Sequence, residues 1–167
     1  MTPTSPSARL RPAHPDEAER LSALALRSKA HWGYDEAFMA ACVDELTLHP
    51  SEVTRRRTTV AEGADGRLLG LVTLEGAPPV GELGLMFVDP DAMGLGVGRL
   101  LFEHLRDTAR EARFTRVSWA ADPNAVPFYE AMGARHAGAI PSGSVLGRML
   151  PLMELRPQAS SRGTART

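Results

Sequence analysis

Three glycines at alternate positions, Gly94, Gly96 and Gly98, lie between an apolar run that stops at Pro90 and an amphipathic stretch that continues past Arg99. Glycines at a strand-to-helix junction let several backbone N–H groups converge on one point, where the helix dipole also favours negative charge. The chemistry this suits is the grip of a diphosphate. The plainer alternative is a tight turn that glycine merely permits before a packed helix. Other nucleotide loops fit worse. A dinucleotide fingerprint would need glycine at Arg99 or Leu101, and a P-loop would need Gly-Lys-Ser/Thr, which the chain lacks. The loop also follows what reads as an antiparallel meander, not a first parallel strand.

The elements that must position this turn are readable from periodicity. Ala8 to Arg11 reads as a short strand, and Pro15, Asp16 and Glu17 give an acidic, proline-bearing helix start. Leu21, Leu24, Ala25, Ser28 and Trp32 then share one face, and Gly33 ends the helix. Asp35 is placed to cap a second helix carrying Phe38, Met39, Val43 and Leu46, which stops before Pro50. Thr58 to Glu62, Arg67 to Glu75 and Glu82 to Val88 follow as strands, separated by Asp65-Gly66 and by Ala77-Pro78-Pro79. In the third of these, Leu83, Leu85 and Phe87 alternate with Glu82, Gly84, Met86 and Val88, which assigns the two sets to opposite faces. Gly98 to Arg113 reads as a helix with Leu101, Leu105, Ala109 and Ala112 on one stripe, and Val117, Trp119 and Ala121 mark a strand beyond it. That order argues a crossover with parallel pairing. Ala125 to Met132 is a short helix closed by Gly133. Arg135 to Ile140 and Gly147 to Leu155 make a last strand pair, with Pro151 placing the final strand at an edge or a bulge.

Composition excludes several classes. The chain has 167 residues, enough for one domain with a real core, and its net charge of -1 offers no global field for nucleic acid or acidic membranes. Lys29 is the only lysine among 19 basic residues, so the arginines read as a compositional bias and not a nucleic-acid patch. The single Cys42 cannot form an internal disulfide, no secretory leader pattern is present, and a reduced cytoplasmic setting is expected. No metal site is expected, because the histidines lack ligand spacing. Met1 to Ser7 and Arg156 to Thr167 have little to bury and are expected to fray, leaving 8–155 as the domain.

The glycine turn resembles the coenzyme A signature of the GNAT superfamily of N-acetyltransferases, Arg/Gln-x-x-Gly-x-Gly/Ala, which follows the fourth strand. The matching residues are Met93, Gly94, Leu95, Gly96, Val97 and Gly98, with Met93 standing where Arg or Gln is usual. A second block of that family has the form Asn-x-x-Ala-x-x-Phe-Tyr-x-x-x-Gly-Phe/Ala. Ala125, Phe128, Tyr129, Gly133 and Ala134 match it in register, Asp122 takes the Asn position, and Asn124 lies two residues on, able to supply the polar contact. The resemblance covers Arg9 to Leu155, and its specificity lies in residues 82–134. It implies a mixed α/β fold of the α+β type: a mostly antiparallel sheet of six to seven strands, about four helices, and a splayed fourth and fifth strand.

From the same resemblance, acetyl-CoA is the expected co-substrate. Its diphosphate would sit on Met93 to Arg99, its pantetheine arm would add to the backbone of Met86, Phe87 and Val88 as a short extra strand, and Asn124 and Phe128 would also contact it. Tyr129 matches the tyrosine that protonates the departing thiolate. A free amine has a pKa of ~8 to 10, so a base or water relay is useful at neutral pH. Glu82 is the candidate, because the alternation places it on the face of Met86 near the thioester, and a solvated strand-end carboxylate is the equal alternative. His31, Trp32 and Tyr34 and the segment Pro141 to Ser144 line the acceptor cleft by resemblance, although Trp32 also reads as core and Arg148 as either a carboxylate partner or a surface residue. The expected activity is acetyl transfer to the primary amine of a small molecule by direct attack in a ternary complex. Acetylation of a protein N-terminus or lysine, and a silent coenzyme A-binding module, are the alternatives. A homodimer is possible and would cover the edge strand carrying Pro151.

Overall fold

The computed structural model describes residues 8–158, and the N-terminal stretch 1–7 and residues 159–167 lie outside them. Seven strands form one sheet: β1 (Arg9–Pro12), β2 (Thr59–Glu62), β3 (Leu68–Ala77), β4 (Val80–Val88), β5 (Arg116–Ala120), β6 (Arg135–Pro141) and β7 (Met149–Leu155), in the order β1-β2-β3-β4-β5-β7-β6. All neighbours are antiparallel except β4 and β5. Four helices flank the sheet: α1 (Ala18–Ala30), α2 (Glu36–Leu46), α3 (Val97–Glu111) and α4 (Val126–Ala131). This is the expected mixed fold with a splayed central pair. Four one-turn 3-10 segments begin at Pro15, Pro50, Pro90 and Pro123. Proline suits each start, since its fixed φ is already helical and its missing N–H would have had no partner.

Periodicity decides which face each helix buries. In α3, Val97, Leu101, Leu105 and Ala109 recur every four residues and, with Phe102, pack on Ala61, Val72, Leu74 and Leu83. On the opposite face, Leu21, Leu24 and Ala25 of α1 cover Val60, Leu71 and Leu85. The Asp35 side chain accepts the Phe38 N–H at 2.8 Å and caps α2 as the sequence indicates. The buried stripe of α2 contains Cys42 in place of the expected Val43, which is 41 % exposed. Trp32 also departs from expectation: α1 ends at Ala30, so Trp32 leaves the helical stripe and stands 46 % exposed.

The strand that matters most, β4, is not regular. Its register against β3 runs Val72↔Met86 and then Leu74↔Leu83, so Thr73 alone opposes both Gly84 and Leu85. The Thr73 hydroxyl accepts the Leu85 N–H at 2.8 Å and donates to Glu75 at 2.9 Å, fixing the bulge. A Cβ on Gly84 would overlap the Glu75 carboxylate. One extra residue flips the alternation. Leu83 therefore joins Met86 and Val88 on the α3 face, while Leu85 and Phe87 pack toward α1. The strict alternation expected for this strand is thereby corrected.

The parallel pairing of β4 with β5 spans only Val80↔Arg116, Gly81↔Val117 and Glu82↔Ser118. Beyond it β5 pairs with β7 alone, and β4 from Leu83 onward has no β5 partner. Of the two places expected for the final strand, an edge or a bulge, the structure gives the second. β7 lies inside the sheet, the edge is β6, and Pro151 faces Ala139 beside the register shift at His136/Gly138, where the ladder is already interrupted. The premise of a dimer covering a Pro151 edge falls with that. Arg156 to Gln158 run along the end of α3, where Arg110 donates to the Pro157 carbonyl at 3.0 Å.

Arg11 locks β1 to the start of α1. Its guanidinium donates to both Glu17 carboxylate oxygens at 2.8 Å and to Glu62 at 2.8 Å, and Glu17 also accepts the His14 N–H. The Arg11 hydrogen bonds hold the Glu17 carboxyl at about 2, against an ordinary 4.5. Since the folded pKa is the lower one, this stability is complete above pH ~4.5 and is lost as pH falls toward 2. Glu17→Gln is expected to cost about 2 kcal/mol at pH 7 and much less at pH 3, read from chemical denaturation at both values.

Candidate functional site

Where β4 and β5 part, the sheet opens into a cleft of about 550 Å³, within the usual size of a small-molecule site. Its walls come from the ends of α1 and α2, from β4 between Leu83 and Val88, from the turn before α3, from β5 and α4, and from the β6–β7 loop. One strand split thus brings together segments distant in sequence.

At one end of the cleft stands the glycine turn. Gly94 and Gly96 have φ of +80° and +85°, a conformation that side chains other than Gly and Asn rarely adopt, and Gly96 is the N-cap of α3. The bond from the Leu100 N–H to the Gly96 carbonyl closes the first turn, so the Val97, Gly98 and Arg99 N–H groups precede any intrahelical partner. A Cβ on Gly98 would enter the space between Phe128 and Val88. Three adjacent donors at the positive end of a 15-residue helix fit a diphosphate.

Asp89, almost fully buried at 3 %, holds this turn to the fold. It accepts the Asp91 N–H at 3.0 Å, Arg27 of α1 at 2.9 Å and Arg67 at 3.3 Å. Burial alone would raise its pKa, but the Arg27 hydrogen bond and the Asp91 N–H keep it below the ordinary carboxylate value. The turn is therefore anchored to a permanent charge.

Midway along the cleft is Tyr129. Its ring packs against Trp119, Phe128 and Phe102 with centroids 5.0, 5.4 and 5.9 Å away. The residue is 7 % exposed, and its hydroxyl has no hydrogen-bond partner among the described residues. Burial, reinforced by the Asp122 charge, raises its pKa well above 10. A phenol in that state is a stable proton donor throughout the neutral range.

The far end of the cleft carries charge. Lys29 Nζ donates to Asp122 at 2.6 Å, Tyr34 donates to the same oxygen at 2.7 Å, and Asn124 contributes its backbone N–H and side-chain amide to the other. Burial would raise Asp122, yet the Lys29 and Tyr34 hydrogen bonds hold it below the ordinary value. Tyr34 is raised, first by burial and then by its bond to Asp122. Tyr34 stacks on Phe38 at 4.0 Å and accepts from Arg148 at 3.1 Å. The network bridges α1 to the end of β5 across the opening.

The placement of the expected residues is mixed. Met86, Phe87, Val88, Met93, Gly94, Gly96, Val97, Gly98, Arg99, Asn124, Phe128, Tyr129, Trp32 and Ser144 line the cleft. Leu95 is 50 % exposed and does not. His31 and Tyr34 are not among the cleft's lining residues: His31 is exposed and edge-on to Trp32, and Tyr34 lies within the Asp122 network. Glu82 is corrected: the β4 bulge puts it on the face opposite Met86, exposed beside Glu75 and Ser118 and outside the main cleft. Asn124 is turned toward Asp122 and Tyr34. Ser142 of the expected Pro141 to Ser144 segment lines the cleft as well, and Lys29, Cys42 and Glu45 do so without having been expected there. The one available signal was that Lys29 is the only lysine in the chain.

Comparisons with known proteins agree with this geometry. The model of the Acetyltransferase (GNAT) family matches residues 22–134. A mycothiol acetyltransferase from Thermomonospora curvata is 40% identical over 74 residues, a match covering 41% of this chain and 25% of that relative. The matched segment thus spans a quarter of the relative's length. A GCN5-related N-acetyltransferase from Rhodopseudomonas palustris superposes with a TM-score of 0.75 at 22% identity, over 93% of this chain and 98% of that one. The PaiA N-acetyltransferase from Thermoplasma acidophilum, solved with coenzyme A, gives a TM-score of 0.74 at 17% identity, over 90% and 99%. At these identities the two structures establish the shared fold.

Proposed function

The chain belongs to the acetyltransferase (GNAT) family, and from that premise we propose that it moves an acetyl group from acetyl-CoA to the primary amine of a small molecule. The observation that carries this reading is that two sets of backbone groups lining one cleft have no partner among the described residues on the side that faces it. One set is the Val97, Gly98 and Arg99 N–H groups and the other is the β4 edge beyond Leu83, with Tyr129 lining the same cleft. Bound acetyl-CoA would supply an acyl carbon activated as a thioester. The α3 turn would hold its diphosphate, and Met86 to Val88 would hold the amide-bearing arm by strand-like hydrogen bonds.

Tyr129 then keeps a proton at its hydroxyl, ready for the departing sulfur, because burial prevents its ionisation near neutral pH. The Phe128 and Trp119 rings beside it exclude water. The cleft's volume of about 550 Å³ matches that of a small-molecule site, which supports a small acceptor. A reducing cytoplasm, the setting we assign, would preserve Cys42 as the free buried thiol seen here.

Since Glu82 faces away from Met86, no direct contact with the acceptor is assigned to it. Glu82→Gln is expected to leave the pH–rate profile of acetyl transfer unchanged, and loss of one limb of that profile would restore it as the base. The direct test of the function is thiol release from acetyl-CoA against a panel of small primary amines. Saturable, amine-dependent release is expected. Coenzyme A binding without release on any amine would contradict transferase activity.

A further inference from the structure

The acceptor end of the cleft contains four charged groups, two of each sign: Lys29, Arg148, Asp122 and Glu45. Lys29 and Asp122 are consumed by each other at 2.6 Å. Neither Arg148 nor Glu45 has an oppositely charged side chain within 4.0 Å among the described residues. The cleft is thus left with one unpaired cation and one unpaired carboxylate.

Arg148 is not a loose surface side chain. Its guanidinium lies 4.8 Å from the Phe38 ring centroid and 5.3 Å from that of Tyr34, and those rings are stacked on each other. One N–H is used by the Tyr34 hydroxyl at 3.1 Å, and Tyr34 is itself held by Asp122. A guanidinium carries five donors in a planar fork that matches a carboxylate through two parallel bonds. The ring contacts and the Tyr34 bond restrict the guanidinium without using the remaining donors. Those donors are therefore ordered before any ligand arrives, and a half-buried cation of this kind favours an anion. Ser142 and Ser144 on the same loop add hydroxyl groups to this end of the cleft.

We propose that the acceptor is a free amino acid or a close homologue, with its carboxylate held by Arg148 and its amine directed toward Tyr129. This rests on the acetyltransferase reading above. Glu45 supplies the opposite pole, which favours entry of an ammonium carboxylate over a simple anion. Arg148 acts here as a specificity residue and takes no part in the chemistry.

The test uses the full chain with acetyl-CoA, measuring thiol release with the common amino acids and with their carboxamides, which keep the amine and lose the charge. At least one amino acid is expected to exceed its carboxamide in kcat/KM by about 30-fold, the scale of a charge-assisted bidentate contact. Arg148→Met is expected to remove that preference, lowering kcat/KM for the amino acid about 30-fold, mainly through KM, and that for its carboxamide far less. Arg148→Lys, which keeps the charge but not the fork, is expected to restore it in part. Equal turnover of acids and carboxamides would overturn the inference and leave the acetyltransferase reading standing, and so would an equal loss on both in Arg148→Met. Coenzyme A binding with no turnover of either class would remove both.

Discussion

Replacing Tyr129 with phenylalanine is expected to lower kcat for acetyl transfer about 100-fold, with affinity for coenzyme A within about threefold of the parent. The ring is the part of this residue that packs, against Trp119, Phe128 and Phe102, and phenylalanine preserves those contacts. The hydroxyl has no partner among the described residues, so its removal strands no buried donor or acceptor. Thermal stability should accordingly be unchanged or slightly higher. That separates a chemical role from a structural one, since a residue needed only for packing would move Tm and spare kcat. The pH dependence gives a second check. Burial raises the Tyr129 pKa, so the phenol stays protonated well past its ordinary value, and no activity loss attributable to it should appear below pH ~10. A tenfold or smaller fall in kcat for Tyr129→Phe would assign the proton elsewhere.

Gly96→Val is expected to weaken coenzyme A binding about 100-fold in a calorimetric titration. An added Cβ at Gly96 meets nothing within 4 Å, so the effect is conformational and not a clash. At φ +85° a β-branched residue is strongly disfavoured, and relief comes only by rotating the backbone out of the left-handed region. That rotation misdirects the Val97, Gly98 and Arg99 N–H groups together. The expected factor corresponds to about 2.7 kcal/mol, the loss of one charge-assisted hydrogen bond at about 1.5–3 kcal/mol or the weakening of all three. Asparagine tolerates the same φ, so Gly96→Asn should bind within about fivefold of the parent. If the two variants bind equally well, the turn is not the cradle.

These expectations draw unequally on sequence. The turn and α3 were legible because their signals are local: glycines at alternate positions, then Val97, Leu101, Leu105 and Ala109 at helical spacing. Tyr129 was singled out by its place in a recognisable block, whereas its burial comes from packing against Trp119 and Phe102. The β4 bulge was not legible, because it is fixed by the Thr73 hydroxyl on a neighbouring strand, twelve residues from Leu85. One unpredicted residue in the ladder was enough to move Glu82 to the wrong face for direct contact. The Lys29–Asp122 bridge spans 93 residues and leaves no periodic trace, and only the rarity of lysine hinted at it. Pro151 left an edge and a bulge equally open for a related reason. Proline forbids a donor but does not say which neighbour would have used it, and here β6 covers the strand beside a register shift.

The acceptor side is where side-chain chemistry departs furthest from what spacing can show. Trp32, expected in the α1 stripe, is released by the end of the helix at Ala30 and lines the cleft. Tyr34 reaches the site indirectly, by ordering Arg148 and completing the shell of Asp122. No helix among the described residues is long and apolar enough to cross a membrane, and the charged network opens to solvent at the cleft.

An amide-resolved NMR titration with coenzyme A tests the donor site most directly. The expected result is saturable shifts that are largest at the Val97, Gly98 and Arg99 N–H groups and extend along Met86 to Val88, with Gly96→Val moving saturation to about 100-fold higher coenzyme A. Shifts that fail to saturate, or that cluster away from the α3 turn and the open edge of β4, would contradict it.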